Sequence, residues 1–245
     1  MAKQLAFGFA KKKRKARRPA ASKPGPKPRA ERIGFVAHGR RDPHEADHPL
    51  HVTMRCVARA PSLRAELVLK AVARVLARGI ARGIAVVHYS IQENHLHLIV
   101  EAGDKTVAAR GLQWLFSRIA FEVNRVALRS GSLFPDRHFR HELKSPSEMR
   151  RALVYVLMNG RKHLAEQGVV HDGMFEWLDP CSSAAWLPRR AWRGDDAPAE
   201  TVIARVRAGP CPPGAMPSTW LASTGWRRGG GALRLGEMPA LRVVR

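Results

Sequence analysis

The sequence predicts an α+β domain in which an antiparallel sheet is assembled from a split β-α-β-β-α-β unit and followed by one additional helix. Three observations carry that expectation. Short alternating runs rich in β-branched residues recur along the chain, and stretches with apolar residues at helical spacing separate them in that order. The two middle strands are joined by the short turn Glu93–Asn94, which makes them a hairpin.

Each element follows from local chemistry. HVTMRCV, from His51, alternates and is the first strand. SLRAELVLKAVARVLAR places Leu63, Leu67, Ala71, Val75 and Arg78 at helical spacing, with Ser62 as the expected N-cap. Gly79 and Gly83 punctuate its exit. GIAVVHYSIQ and HLHLIVEA are the second and third strands. A long helix is expected from about Val107 to Arg129, with Leu112, Phe116, Ile119, Val123 and Ala127 on one side. GSLFPD reads as a turn and RHFRHEL as the fourth strand. Ser145-Pro146-Ser147-Glu148 opens the last helix, since proline is tolerated in a first turn, and that helix is expected to run to Gly168. The order is that of a ferredoxin-like sandwich with an extra helix. Trp114, Phe116 and Tyr89 are assigned to packing.

The chain of 245 residues is long enough for one well-built core, and its 45% hydrophobic content supports one. A net charge of +23 marks it as a partner of polyanions, nucleic acid foremost. No apolar run approaches the roughly 18 residues that a bilayer span needs, so no membrane partner is expected. The three cysteines, Cys56, Cys181 and Cys211, are widely separated and suggest neither a disulfide framework nor a thiolate metal site. A reduced, intracellular location is expected.

Three regions are expected. Residues 1–32, with KKKRKARRPAASKPGPKPR, read as a disordered basic arm that grips phosphate. Residues 33–170 form the folded domain, in which His38, His44 and His48 belong to surface stretches. Residues 171–245 mix Trp, Pro, Gly and Arg without lasting periodicity and are expected to be poorly structured, although Trp177, Trp186, Trp192, Trp220 and Trp226 imply that pieces of them pack.

Two histidines stand one residue apart in the third strand. Side chains alternate along a strand, so His95 and His97 share a face while Leu96, Leu98 and Val100 occupy the other. Their Cα atoms lie roughly 7 Å apart at about 3.3 Å rise per residue, close enough for both rings to reach one ion. On the last helix, Arg151, Tyr155, Asn159 and His163 follow at i, i+4 spacing and form one polar ridge. Laid over the open face of the sheet, that ridge would meet the histidine pair, and Asn159 would offer an amide oxygen as a third ligand. Two imidazoles and one oxygen leave positions open on the metal, which suits a catalytic site; magnesium or manganese is expected where phosphates are handled.

HYSIQENHLHLIVEA followed by ALVYVLMNGRKH resembles the single-tyrosine HUH transposases, and most of all their REP-associated tyrosine branch. The resemblance covers roughly Leu50 to Asp179. It implies a metal-dependent transposase, a single-strand DNA transesterase and endonuclease, with residues 33–170 as the catalytic domain. His95 and His97 match the metal-binding pair, Tyr155 the nucleophile, and Asn159 the position that often completes the metal site. The reaction implied is DNA recombination through a reversible 5′-phosphotyrosine intermediate, on single-stranded or hairpin DNA, by a monomer or a homodimer. Arg137, Arg140, Arg150, Arg151 and Lys162 flank the expected site and are candidates for holding the DNA backbone.

Two other readings remain open at this point. One is a basic nucleic-acid-binding protein whose site is vestigial or regulatory. The other is a metallohydrolase built on HLH, against which Leu98-Ile99-Val100-Glu101 and the lack of a second H-x-[ST] motif count.

Overall fold

Strand β3 (His95–Ala102) is buried along its whole length, and that fact organises the molecule. It is an inner strand of a sheet covered on both faces. The computed structural model describes residues 43–168 and 177–239; the basic arm of residues 1–32 and His38 lie outside the described residues. Strand β1 (Leu50–Arg55), helix α1 (Glu66–Ala77), strand β2 (Ile84–Ile91), β3, helix α2 (Lys105–Val126) and strand β4 (Phe139–Glu142) follow in that order. All neighbours in the sheet order β2-β3-β1-β4 are antiparallel. This is the ferredoxin-like α+β topology.

The parity of each strand decides what it faces. Leu50, Val52 and Met54 of β1 join Leu96, Leu98 and Val100 of β3 in one core, sealed by Val68, Val72 and Val75 of α1 and Leu112, Leu115 and Ile119 of α2. The odd-numbered residues of the same strands face the other way. In β2 a bulge between Val86 and His88 changes that parity, so Tyr89 pairs with Leu98 and lies on the α1/α2 side. Its hydroxyl donates to the Pro212 carbonyl.

Local starts and stops differ in places from the expected ones. Helix α1 begins at Glu66 with Ala65 at its N-cap, because Ser62 is used in a preceding turn where its hydroxyl accepts from the Arg64 N–H. Helix α2 is capped by Asp104, which accepts from the backbone N–H of Thr106 and Val107. The last expected helix is two helices: α3 (Pro146–Leu157) and α4 (Asn159–Glu166), broken at Met158 with φ −104° and ψ 9°. Its start holds to expectation, with a reciprocal capping box between Ser145 and Glu148. The side chain of His44, expected at the surface, is buried instead: its ring nitrogens lie 2.9 Å from Glu142 Oε1 and 3.0 Å from the Ala102 carbonyl oxygen.

The larger correction concerns the extension. Residues 177–239, expected to be poorly structured, fold back over α3 and the second face of the sheet. They include helices α5 (Glu200–Arg207) and α6 (Trp220–Ser223) and several single 3-10 turns. Leu178, Leu187, Trp192, Ile203, Leu221, Trp226 and Leu233 enclose Ile99 of β3 together with Met149, Leu153, Val156 and Leu157 of α3. The missing periodicity has a physical reason. These segments meet the core one or two residues at a time, through turns, and no long helix or strand records that in sequence. Buried polar contacts fix the join. Glu101 accepts from the backbone N–H and the hydroxyl of both Ser218 and Thr219. Arg161, almost fully buried, donates to the Trp177 carbonyl.

Candidate active site

The odd face of the sheet carries His51, Thr53 and Arg55 from β1, His95 and His97 from β3, and Phe139 and His141 from β4. The register sets Thr53 beside His97, Arg55 beside His95, and His141 beside His51. Helices α3 and α4 supply the opposite wall with Arg151, Tyr155, Lys162 and His163. Together these residues line a cleft of about 1080 Å³, closed at one side by Glu237, Met238 and Pro239.

Tyr155 meets His97 and His51. Its ring centroid is 4.9 Å from that of His97 and 5.7 Å from that of His51, edge to face in both cases. His95 and His97 are 4.8 Å apart, and His163 stands 5.3 Å from His95. The Lys162 ammonium sits 5.2 Å over the Tyr155 ring and 3.7 Å from Glu166.

The imidazoles are held from behind. His95 Nδ1 donates to Asn94 Oδ1 at 2.7 Å, which leaves Nε2 with its lone pair. His97 Nδ1 is 3.1 Å from the Thr53 hydroxyl, and His163 Nδ1 is 3.1 Å from Glu166 Oε2. The Nε2 atoms of His51, His97 and His163 are buried with no hydrogen-bond partner among the described residues. Burial, reinforced by neighbouring His163, Arg55 and Lys162, lowers His95 to a pKa of about 4. Burial and nearby His141 do the same to His51, and burial with the surrounding imidazoles holds His97 well below its ordinary value. At neutral pH these rings are uncharged, as metal ligands must be.

Asn159 is placed differently from the expected ridge. The break at Met158 interrupts the i, i+4 row, and Asn159 does not line the cleft, whereas His163 does. Its amide is fully buried, and both Oδ1 and Nδ2 lack a hydrogen-bond partner among the described residues. A buried amide left unpaired is a costly state that calls for a partner. No three His, Cys, Asp or Glu side chains among the described residues are already disposed around one point. The rings pack edge to face, which brings donors close without aiming their lone pairs together. The donor set of the cleft nonetheless fits a divalent ion: neutral imidazoles whose buried ring nitrogens lack a partner among the described residues line one wall.

Of the basic residues expected at the site, Arg151 and Lys162 line the cleft. Arg150 also reaches its wall, but its guanidinium is taken by Glu237 and by the carbonyls of Gly231 and Ala232. Arg140 pairs with Val52 in the register, so parity turns it to the opposite face. Arg137 lines a separate pocket beside α2, with Phe116, Phe134 and His138. Sequence reasoning passed over His51, Thr53, Arg55 and His141. Their signal was available: odd positions of HVTMR and RHFRHEL share a face with HLH once β1 is placed between β3 and β4.

Burial works against the other nucleophile candidates. Burial pushes the Cys56 and Cys181 thiols up to about 11 and Cys211 to about 12. Burial also raises Tyr89, on the wrong side of the sheet. No helix among the described residues is long and apolar enough to cross a membrane.

A solved structure is similar to this chain. It is a REP-associated tyrosine transposase bound to a REP hairpin, 13% identical, with a TM-score of 0.45, covering 60% of this chain and 82% of that one. No family model matches the sequence, and no curated protein does.

Proposed function

We propose that this protein is a tyrosine transesterase of single-stranded DNA, a transposase-type strand transferase that works through a covalent phosphotyrosine. The observation that carries the reading is the contact between the Tyr155 ring and His97, which is buried and neutral like its neighbour His95. Tyr155 lines the cleft together with Arg55, Arg151 and Lys162, whereas the Tyr89 hydroxyl is spent on the Pro212 carbonyl.

His95 and His97 would hold a divalent metal, magnesium or manganese, with His163 beside them. When bound, such an ion supplies positive charge at the oxygens of a phosphodiester. The chain's own groups do the rest. Arg55, Arg151 and Lys162 draw the DNA backbone into the cleft. The Tyr155 oxygen attacks phosphorus; the Oη–P bond forms as the P–O3′ bond breaks. The phenol proton is lost and the departing 3′ oxygen takes one up. The 5′ phosphate remains on Tyr155 as an ester. One phosphodiester has become another, so the step is nearly isoenergetic, and a different 3′-OH can reverse it. The substrate of this reading is a single strand, free or in a hairpin.

Labelled oligonucleotides incubated with the protein and manganese should give a denaturation-resistant adduct carrying the 5′ side of the break. Tyr155→Phe should give none while still binding DNA. An adduct that persists in Tyr155→Phe overturns the assignment. Binding without any adduct in the wild type instead favours a nucleic-acid-binding protein with a vestigial site.

A further inference from the structure

Phe139 has no part in the cleft chemistry described above, yet it lines the same cleft as Tyr155. It is 52% exposed and belongs to neither hydrophobic core. Register sets its place. Phe139 pairs with Thr53 of β1, and Thr53 pairs with His97 of β3, so all three side chains share the odd face. Two strand spacings of about 4.8 Å put the Phe139 backbone about 10 Å from that of His97.

Stability does not account for a phenyl ring here. β4 ends the sheet, pairing with β1 alone among the described strands. A ring left in water on such an edge gains little from burial and leaves the edge open to stray pairing. The other half-exposed rings among the described residues each have a guanidinium over them: Arg118 over Phe121 at 5.0 Å and Arg228 over Trp220 at 5.3 Å. Phe139 has neither a guanidinium over it nor a second ring against it among the described residues. Its cleft is instead flanked by charge, since Arg55 and Arg151 are exposed there.

We infer, on the reading of the cleft as a single-strand site, that Phe139 is a stacking platform for one base of that strand, close to the phosphate that Tyr155 attacks. Cations along the groove take the backbone, and an open ring on the sheet takes the flat face that every base offers. A duplex has no free base to give such a ring, because its bases are stacked on one another. A phenyl ring carries no hydrogen-bonding group, so Phe139 fixes where the strand lies without reading which base stands there. Holding one nucleotide in place next to the scissile bond keeps phosphorus in reach of the Tyr155 oxygen.

The test uses full-length protein carrying Tyr155→Phe, so that binding is read without covalent capture. The probe is an unpaired oligonucleotide selected from a random pool for binding to this protein. A matched set lacks one base at a time, leaving an abasic sugar. Phe139 is changed to Leu, and in a second variant to Trp. Phe139→Leu should weaken binding of the intact probe about tenfold while the salt slope stays the same, because stacking releases no counterions. Removing one particular base should cost the parent a similar factor and the Leu variant little, since the two changes delete the same contact. Phe139→Trp should keep the affinity. Unchanged affinity in Phe139→Leu, or abasic penalties of equal size with and without the ring at every position, overturns the platform and leaves the cleft as a single-strand site. A parent that retains no unpaired oligonucleotide from the pool overturns both. Binding that depends on Phe139, with no adduct when Tyr155 is restored, keeps the platform and removes the transesterase reading.

Discussion

Tyr155 and His97 stand edge to face with ring centroids 4.9 Å apart, although one belongs to α3 and the other to the middle of the sheet. They meet because α3 lies over the odd face of β3, held there by Ile99 packing against the helix's own apolar side. If the neighbouring imidazoles accept a divalent ion, native protein should gain stability in proportion to binding. With free manganese at 100 times its dissociation constant, the gain is about 2.7 kcal/mol, or about 5–10 °C in Tm for a chain of this size. His97→Ala should abolish the shift and His163→Ala should reduce it. Thermal melts with and without the ion decide this, and an undiminished shift in His97→Ala would remove the histidines from any metal site.

Stability should also fall on mild acidification. His51 and His95 are held at about 4 by burial, whereas an unfolded imidazole has a pKa near 6.5. Below 6.5 the unfolded chain takes up protons that the native protein refuses. Stability is therefore level above neutrality and declines as the pH falls from about 6.5 to 4, by an amount on the order of 3 kcal/mol per ring. His88, likewise pushed to about 4, acts in the same direction. Denaturant midpoints between pH 4 and 8 should trace this decline, and His51→Asn should make it shallower. A stability that rises on acidification contradicts the burial argument.

Two adjacent arginines should separate in their effects. Arg150 is tied to Glu237, with donor–acceptor distances of 2.5 and 3.1 Å, while Arg151 is exposed at the cleft. Arg150→Ala strands a half-buried carboxylate and frees the segment around Glu237, at a cost of about 1–3 kcal/mol. Hydrogen exchange should speed up across residues 233–239 in that variant. Arg151→Ala should leave stability within about 0.5 kcal/mol and weaken DNA binding with a smaller salt dependence. Equal behaviour of the two in both assays would sink the distinction.

The reading from sequence alone went furthest where chemistry is periodic. Alternation in HLHLIVEA put both histidines on one face, and the helical row put Tyr155 opposite them. It stopped where structure depends on events of a single residue. The break at Met158 moved Asn159 off the cleft wall and brought His163 to His95, yet Met158 has ordinary helical chemistry. The parity of β4 turned Arg140 away, which becomes visible only once its register with β1 is known. The extension was illegible because Trp192, Leu221, Trp226 and Leu233 reach the core from separate turns. His51 and His141 were missed for another reason: each looked like an isolated polar residue until the sheet order set β1 between β3 and β4.

Gly160 tests how firmly the extension is fastened to α3 and α4. It sits at the start of α4, where an added Cβ would overlap the Asp179 carboxylate, including its Oδ2 and Cγ atoms. Asp179 has no room to yield. Arg64 donates to both of its oxygens, the Cys181 N–H donates to Oδ1 at 2.9 Å, and Gln92 lies 3.4 Å from Oδ2. The carboxylate is buried, so displacing it strands the Arg64 charge as well as its own. Gly160→Ala should therefore cost about 2–4 kcal/mol, well beyond the usual effect of this change within a helix, which is mildly stabilising. Asp179→Ala alone should be destabilising, and combining it with Gly160→Ala should be less harmful than the sum, because the clash partner is gone. Strict additivity in that cycle, measured by denaturant unfolding, would show that the two residues do not press on each other.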